Sequence, residues 1–429
     1  MLINLSYGKI GHVINLSDNL NIDIIEPKWV DSVPDQSVAV YTALENPFQH
    51  KPLEEIVSRN KTVAIIFSDI TRPTPYSIIL PALMQKLQKL PKKNICFFCA
   101  NGTHRLLTKG ELEIILGRQI VHNYEIVQNE ANRKELFEYV GTSTSGNDIL
   151  FNKKLLLYDI KILTGFIEPH FFAGFSGGAK ALMPGLTYEK SIKYNHSIRN
   201  LSHNNARWGV THGNPIWEDI NEAAKFVPGL FLLNVTLNKK KEITNVFAGD
   251  LNVAHMAGCR FVKESAMAPV KTLYDIVITS NSGYPLDLNI YQTVKGMSAA
   301  VQIVKDGGYI IIASECSNGI PADSDYERIL NSVGNVDDLI EFIQKNEDNL
   351  NDTWQLYFQA LIMKRSNVFL YSDKMDDYTI KKTLIRPVSD ISKLTNRLLR
   401  KLGAEAKICI MPEGPQTIPF LKPSIDSSD

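Results

Sequence analysis

The stretch that decides the fold is Lys61–Leu90, KTVAIIFSDITRPTPYSIILPALMQKLQKL. It opens with a β-branched apolar run, Lys61–Ser68, which is typical of a strand buried on both faces of a parallel sheet. The loop Asp69–Pro75 holds two prolines, which block a helix until Pro75 opens one. Apolar residues after Pro75 recur at helical spacing, and Pro81 lies within this run. One strand followed by one helix is the basic unit of a parallel α/β fold.

Two further strand-like runs follow along the chain, and each ends in a polar loop. NICFFCA, residues 94–100, precedes the loop Asn101–Arg105, and LLLYDIKILTG, residues 155–165, precedes the glycine-rich loop Glu168–Lys180. In parallel α/β sheets, ligands bind beyond the carboxyl ends of the strands. We therefore expect these two loops to converge with Asp69–Pro75, although the sequence leaves the order of the strands open.

A second series of strands and helices begins near Val270. LYDIVITSNSG, residues 273–283, and GGYIIIASECSNG, residues 307–319, flank the helical run NIYQTVKGMSAAVQIVK, residues 289–305. The sequence therefore predicts an α/β protein of two α/β domains, with mainly parallel sheets and the active site in the cleft between them. The predicted domains are 1–268 and 270–400, with 257–269 as the candidate hinge and the tail 402–429 returning to the first domain.

The composition is that of a globular protein without an excess of charge. Apolar residues make up 44% of the 429 residues, and Lys plus Arg and Asp plus Glu both number 46. A balanced charge gives no support for a nucleic-acid partner or an anionic membrane. No apolar run approaches the roughly 20 residues of a membrane span. Five cysteines, with Cys96 and Cys99 inside an apolar run, indicate buried thiols rather than a disulfide framework. We expect a cytoplasmic protein.

The stretch EPHFFAGFSGGAKALMPGL, Glu168–Leu186, begins with the glycine-rich loop and contains a candidate anion site. Glycines allow backbone N–H groups to point into a concavity, as phosphate nests do. A hydroxyl and a lysine at the same place would add to such a site, although the spacing is not that of a Walker A motif. A tight turn with a surface lysine explains the same residues, so an anion site and a purely structural turn both stay open here. The residues concerned are Gly174, Ser176, Gly177, Gly178 and Lys180.

Histidines and cations in the strand-end loops are candidates for catalysis. His104 and His170 each follow a predicted strand, and His196 lies in the run SIKYNHSIRN, which we predict to be helical. Imidazole titrates near neutral pH and suits acid/base work, but it is also a good ligand for nickel, copper or zinc. Arg72 and Lys295 could each bind a carboxylate, with an exposed salt bridge as the alternative.

Several blocks of the chain resemble the nickel-dependent lactate racemase family. They are SDITRPTP, ANGTHR, EPHFFAGFSGGAKALMPG, the NH dipeptide that ends in His196, and YQTVKGMSAA followed by GG and ASECSNGIP. The blocks occur in the family's order, and the resemblance covers essentially the whole chain. No single block would be specific, but the set is.

The resemblance implies a cofactor and a role for each matching residue. The family's cofactor is the nickel-pincer nucleotide, nickel pyridinium-3,5-bisthiocarboxylic acid mononucleotide, which the N-terminal domain would bind and which cofactor-biosynthesis proteins supply. Lys180 matches its covalent attachment point, and His196 matches the histidine that binds nickel. The remaining matches are His104 and His170 as the acid/base pair, Arg72, Tyr291, Gln292, Lys295 and Trp354 as substrate-binding residues, and Asp69, Gly174, Ser176, Gly177 and Gly178 as cofactor-binding residues.

The implied reaction is the racemisation of a small 2-hydroxy acid. The hydride on Cα would move reversibly to the cofactor through a ketoacid intermediate, while the two histidines exchange the hydroxyl proton. Lactate is the default substrate because Trp354 is present, and a larger 2-hydroxy acid or a sugar acid is the alternative. Two other classes stay open: a zinc hydrolase with His104, His170 and His196 on the metal, and a non-catalytic nucleotide-binding protein.

Overall fold

A computed structural model describes residues 1–346, 353–403 and 405–422. The chain divides into two compact units. The continuous unit is Trp29–Glu264, and the split unit is Met1–Lys28 together with Ser265–Asp429. The predicted α/β architecture with mainly parallel sheets is confirmed. None of the helices in the described part of the chain is both long and apolar enough to cross a membrane.

A six-stranded sheet forms the centre of the continuous unit. The three runs predicted as strands become Val63–Phe67, Ile95–Cys99 and Ile160–Phe166, and every residue in them is buried. Val63–Phe67 lies between the other two, parallel to both. Their polar loops therefore leave the same edge of the sheet side by side. The full strand order is Ile243–Gly249, Leu230–Leu237, Ile160–Phe166, Val63–Phe67, Ile95–Cys99 and Glu125–Gln128, and the first pair is antiparallel.

Helices cover this sheet, and two short hairpins accompany it. The helix Tyr76–Lys86 begins directly after Pro75 and continues through Pro81. Its apolar face joins a core cluster with strand residues such as Ile65 and Phe97. The hairpins pair Phe137–Thr142 with Asp148–Asn152 and Pro169–His170 with Gly174–Phe175. The other helices are Gln36–Glu45, Leu53–Ile56, Lys109–Leu116, Arg118–Asn123, Lys153–Leu156, Glu189–Asn195, Ile198–Leu201, Pro215–Ala224 and Leu251–Ala266, with 3₁₀ turns at Lys92–Asn94, Lys134–Leu136 and Gly178–Ala181.

The split unit is built on a second six-stranded sheet in which all neighbours are parallel. Its strand order is Arg386–Pro387, Asn367–Tyr371, Val304–Ala313, Tyr274–Ser280, Ile408–Met411 and Ile22–Ile24. Its two further pairs are Leu2–Leu5 with His12–Asn15 and Met267–Val270 with Ile418–Leu421. The helices are Ile290–Ala300, Asp325–Ser332, Val336–Asn346, Thr353–Arg365, Asp377–Lys382 and Ile391–Leu402, and a 3₁₀ turn covers Gly414–Gln416.

The units divide the chain differently from the predicted domains 1–268 and 270–400 with a returning tail. The tail strand Ile408–Met411 is fully buried and pairs with Tyr274–Ser280, so it belongs to the split unit. Its other neighbour is Ile22–Ile24, from the start of the chain. A buried parallel strand needs a neighbour on each side, and here one of them lies almost 400 residues away in the sequence. Such a pairing leaves no local trace in the sequence.

Candidate functional site

Asp69 and His104 form a hydrogen-bonded pair at the carboxyl ends of two adjacent strands. Asp69 Oδ2 lies 2.6 Å from His104 Nδ1, and the Thr71 hydroxyl donates to Asp69 Oδ1 at 2.6 Å. Burial alone would raise the pKa of Asp69, but His104, followed by Arg72, holds it well below its usual range. The carboxylate is therefore charged and accepts the Nδ1 proton of His104. In neutral His104 the lone pair then lies on Nε2, the form that can accept a proton.

Arg72 leaves the same loop and faces a second buried carboxylate. Its Nη1 lies 3.9 Å from Glu168 Oε1 and has no hydrogen-bond partner in the part of the chain that the structure describes. Glu168 lies two residues after the end of the strand Ile160–Phe166, and its side chain is only 8% exposed. A buried guanidinium nitrogen without a hydrogen bond is costly. A carboxylate ligand would supply the missing acceptor.

Phe172 lies among three of the predicted site residues. Its ring centroid is 4.5 Å from that of His170 and 4.9 Å from that of His196, both in edge contacts. The Nζ atom of Lys180 lies 5.5 Å from the same ring. Phe172 itself is buried. The two histidines and the lysine therefore surround one aromatic side chain at a single place in the continuous unit.

Lys180 lies in an environment that favours the neutral amine. Burial and, to a smaller extent, the charge of Arg72 lower the pKa of Lys180 to about 7. At pH 8 most of the Lys180 side chains are therefore neutral. A neutral amine is the nucleophilic form of lysine, so this side chain is suited to forming a covalent bond.

His170 and His196 have their Nδ1 atoms in opposite roles. The N–H of Ala173 donates to His170 Nδ1 at 3.3 Å, so the proton of neutral His170 is on Nε2. His196 Nδ1 instead donates to the Ile192 carbonyl at 3.1 Å, which leaves the lone pair on Nε2. Burial and then the charge of Lys180 lower the pKa of His196 to about 3, although the Ile192 carbonyl opposes this. Neutral imidazole held through Nδ1 by a backbone carbonyl is typical of a metal ligand.

The glycine loop uses several of its polar groups to hold its own shape. Ser176 Oγ accepts the N–H of Glu168 and donates to the Phe166 carbonyl, both at 3.0 Å. The N–H of Gly178 donates to Asn234 Oδ1 at 2.8 Å. These groups therefore have partners inside the protein. Phosphate binding by Ser176 and the glycines stays a prediction.

Gly174 and Gly177 have backbone conformations that side chains rarely adopt. Gly174 has φ +77°, and a Cβ there would lie 2.1 Å from the carbonyl oxygen of Val210. Gly177 has φ +76°, and a Cβ there would lie 2.5 Å from Asn234 Oδ1. Both positions therefore require glycine for the close approach of another part of the chain.

A buried carboxylate supports the segment that carries His196. Asp219 accepts hydrogen bonds from the hydroxyls of Ser143 and Ser145 and from the side-chain amides of Asn147 and Asn195. Asn195 directly precedes His196, at the end of the helix Glu189–Asn195. Asp219 thus ties this helix end to the helix Pro215–Ala224.

Sequence reasoning missed Asp219, Asn234 and His255, and it gave Phe172 and Glu168 no role. Asn234 is the one amide in the strand LFLLNVTL, and His255 lies in the helix Leu251–Ala266. A single polar residue in an apolar element is usually structural, so neither carried a signal. Phe172 and Glu168 adjoin predicted site residues in the sequence, and that adjacency could have identified them.

The remaining predicted residues lie in the split unit, where the structure brings two of them together. The Trp354 Nε1–H donates to the Tyr291 hydroxyl at 3.0 Å. Gln292 and Lys295 lie on the same helix as Tyr291 and are buried. Gln292 Oε1 has no hydrogen-bond partner among the residues described. Tyr291, Gln292 and Lys295 therefore provide three polar side chains on one helix, and the Trp354 side chain is hydrogen-bonded to the first of them.

The histidines do not form the three-histidine metal site of the zinc-hydrolase alternative. Within the described ranges, no three His, Cys, Asp or Glu side chains are grouped closely enough to hold a metal ion. His104 instead bonds to Asp69, and His196 to a backbone carbonyl. A single histidine ligand, as the family resemblance implies for His196, remains compatible with this geometry.

Comparisons with known proteins agree over nearly the whole chain. The lactate racemase N-terminal domain matches residues 7–209, and the lactate racemase C-terminal domain matches residues 270–418. A lactate racemase from Thermoanaerobacterium thermosaccharolyticum is 36% identical over 421 residues, which is 97% of this chain and 98% of the relative. A lactate racemase from Lactiplantibacillus plantarum is 36% identical over 381 residues, covering 87% of this chain and 89% of the relative.

Solved structures show the same fold. The lactate racemase apoprotein from Thermoanaerobacterium thermosaccharolyticum superimposes with a TM-score of 0.88 at 35% identity, covering 98% of this chain and 100% of that one. A protein from Thermotoga maritima gives 0.70 at 18% identity over 90% of this chain and 98% of that one, which shows the fold alone. The family resemblance predicted from the sequence is confirmed, and the chain belongs to the lactate racemase family.

Proposed function

We propose that this protein racemises lactate or a closely related 2-hydroxy acid with a nickel-pincer nucleotide as its cofactor. The observation that carries the proposal is that the two candidate acid/base histidines use Nδ1 in opposite ways, one as a donor and one as an acceptor. His104 donates through Nδ1 to Asp69, whereas His170 accepts at Nδ1 from a backbone N–H. Neutral His104 can therefore accept a proton at Nε2 while neutral His170 can donate one from Nε2. A racemase needs one group of each kind, because it must work on both enantiomers.

The residues near Phe172 fit the proposed cofactor. Lys180 has a pKa near 7, which gives the neutral amine needed for a covalent attachment. His196 is neutral with its lone pair on Nε2, and imidazole is a suitable ligand for nickel. When bound, the nickel-pincer nucleotide would supply an acceptor for the hydride from the α-carbon of the substrate.

The protein's own side chains would bind the substrate and move its hydroxyl proton. Arg72 has a buried Nη1 that lacks a hydrogen bond within the described residues, and a substrate carboxylate would provide the acceptor. Asp69 would keep the His104 ring in place and stabilise the imidazolium after it takes the hydroxyl proton. His170 would return a proton to give the other enantiomer. In the split unit, we propose that the substrate is bound by Tyr291, Gln292, Lys295 and Trp354.

A chiral assay tests the proposal. The chain, produced together with the cofactor-biosynthesis proteins, should convert pure L-lactate and pure D-lactate to the same mixture. His104→Ala and His170→Ala should each lower the rate at least about 100-fold while nickel content is unchanged. His122→Ala is the matched control, because His122 is an exposed histidine on the helix Arg118–Asn123. A nickel-loaded chain that interconverts no 2-hydroxy acid would refute the proposal.

The same assay decides the substrate. Lactate comes first because the relatives at 36% identity are lactate racemases. A panel of larger 2-hydroxy acids and sugar acids should give rates well below that of lactate. If a larger acid is the better substrate, the reaction class remains and the substrate assignment changes.

A further inference from the structure

We infer that His255 and Asn234 are positioning residues that fix the direction in which Lys180 leaves the glycine loop. The two side chains hold the three-residue turn Ser176–Gly178 from the side, and this turn leads directly to Lys180. The inference deepens the proposed function and rests on it for the role of Lys180. Both positions are far from the loop in sequence and belong to no motif described above.

The two side chains fix the two peptide groups that flank Gly177. His255 Nε2 donates to the Ser176 carbonyl oxygen at 2.9 Å, which orients the peptide before Gly177. Asn234 Oδ1 accepts the N–H of Gly178 at 2.8 Å, which orients the peptide after it. Fixing both peptide planes fixes φ and ψ of Gly177, a residue whose backbone is otherwise freer than any other.

Both side chains are themselves held rigidly. The Asn234 amide donates to the Leu163 carbonyl at 3.3 Å and to the Leu233 carbonyl at 3.1 Å, so its oxygen must face the turn. His255 is 2% exposed, and its ring lies so close to the turn that a Cβ on Gly178 would be 2.5 Å from Nδ1. The turn therefore cannot shift towards either side chain.

A single hydrogen bond transmits this arrangement to the lysine. The N–H of Lys180 donates to the Gly177 carbonyl at 3.2 Å, within the 3₁₀ turn Gly178–Ala181. The Gly177 carbonyl belongs to the peptide group that Asn234 orients. The clamp formed by His255 and Asn234 thus sets the Cα–Cβ direction of Lys180, which then places Nζ beside Phe172. A lysine that forms a covalent bond needs such a fixed starting point.

The test compares two variants at position 255 with a control variant at position 259, all in the whole chain. His255→Leu removes the donor at nearly the same volume, and His255→Gln keeps it, because glutamine Nε2 lies the same number of bonds from Cα. Cys259→Ala is the control, since Cys259 also contacts His255 Nε2, at 3.6 Å. The first measurement is amide hydrogen exchange in a peptide covering 174–182, read by mass spectrometry.

We expect His255→Leu to speed exchange in this peptide at least tenfold, while a peptide covering Val63–Phe67 changes less than twofold. The glutamine and Cys259 variants should stay within about threefold of wild type. The second measurement is the fraction of cofactor-loaded chains that carry an adduct at Lys180 by intact mass. It should fall at least fivefold in His255→Leu and recover in His255→Gln.

Unchanged exchange and an unchanged adduct fraction in His255→Leu would overturn the inference, as would a glutamine variant that behaves like leucine. If His255→Leu does not fold, His255→Asn takes its place, because asparagine is one bond too short to reach the Ser176 carbonyl. If wild type itself carries no adduct, the proposed attachment at Lys180 fails. The exchange measurement then still decides whether His255 holds the turn.

Discussion

Replacing Lys180 with methionine should stabilise the protein, and the gain should depend on pH. Burial lowers the pKa of Lys180 from 10.5 to about 7, so the folded chain binds this proton less tightly than the unfolded chain does. Below pH 7 both forms hold the proton, and the folded state bears the full cost of the buried charge. As the pH rises from 7 to 10.5, only the unfolded chain holds it, so stability increases with pH. Lys180→Met removes the charge but keeps a long side chain beside Phe172.

The magnitude follows from the pKa. A tenfold change in proton affinity corresponds to about 1.4 kcal/mol, so the cost at pH 6 is about 5 kcal/mol at most and falls to about 2 kcal/mol at pH 9. Lys180 is only partly buried, and solvent reduces both figures. We therefore expect the gain from Lys180→Met at pH 6 to exceed the gain at pH 9 by about 1 to 3 kcal/mol.

Urea unfolding of the chain made without cofactor measures this difference. Three of the four tryptophans, Trp29, Trp208 and Trp217, lie in the continuous unit with Lys180, so fluorescence mainly follows that unit. Lys109→Met, at an exposed position, is the control and should change stability by less than about 0.5 kcal/mol at either pH. Equal gains from Lys180→Met at pH 6 and pH 9 would refute the reasoning, since no buried charge would then be involved.

Three further substitutions test other parts of the continuous unit by thermal melting. Gly174→Ala should destabilise it by about 2 to 4 kcal/mol, because the new methyl group would lie 2.1 Å from a carbonyl oxygen at a positive φ; Gly110→Ala, where nothing lies within 4 Å, should be neutral or slightly stabilising. Asp219→Asn should cost about 2 kcal/mol or more, because its new amide would face side-chain amide donors. Asp69→Asn should lower the melting temperature at pH 7, because His104 loses its charged partner. The difference from wild type should shrink as the pH falls below about 4, because the Asp69 carboxyl, whose pKa is low, stabilises the fold only while it is charged. A difference in melting temperature that stays constant from pH 7 to pH 3 would contradict this.

The sequence predicted the centre of the fold well and its edges poorly. Continuous apolar runs identified Val63–Phe67 and Ile95–Cys99 because strands buried on both faces carry no polar positions. The run 155–165 was assigned wholly to a strand, whereas residues Lys153–Leu156 are helical and the strand begins at Ile160. Short apolar runs suit either structure, and periodicity cannot separate them. Strand order depends on contacts between distant residues, so it emerged only from the structure.

The sequence likewise predicted some residues of the candidate site and missed others. His104, His170 and Lys180 were identified because they lie in strand-end loops, where polar residues are exposed to a ligand. Asn234 and His255 act from within a strand and a helix, through hydrogen bonds to backbone groups of another segment. Such roles depend on which backbone group lies opposite, and residue type alone does not reveal it. The tautomers of the histidines likewise follow from their neighbours rather than from the sequence.

The partner of Ile22–Ile24 has a consequence for how the protein is made. This strand is synthesised well before its neighbour Ile408–Met411. The whole continuous unit is translated in between, and the Lys28 N–H then bonds to the Ser265 carbonyl at 2.7 Å where the chain returns. The nascent chain must therefore carry the strand Ile22–Ile24 without its neighbour while an entire unit is synthesised. Rapid folding of residues 29–264 would bring the two ends of the split unit together early, so variants that slow it should aggregate during synthesis even where the finished protein is stable.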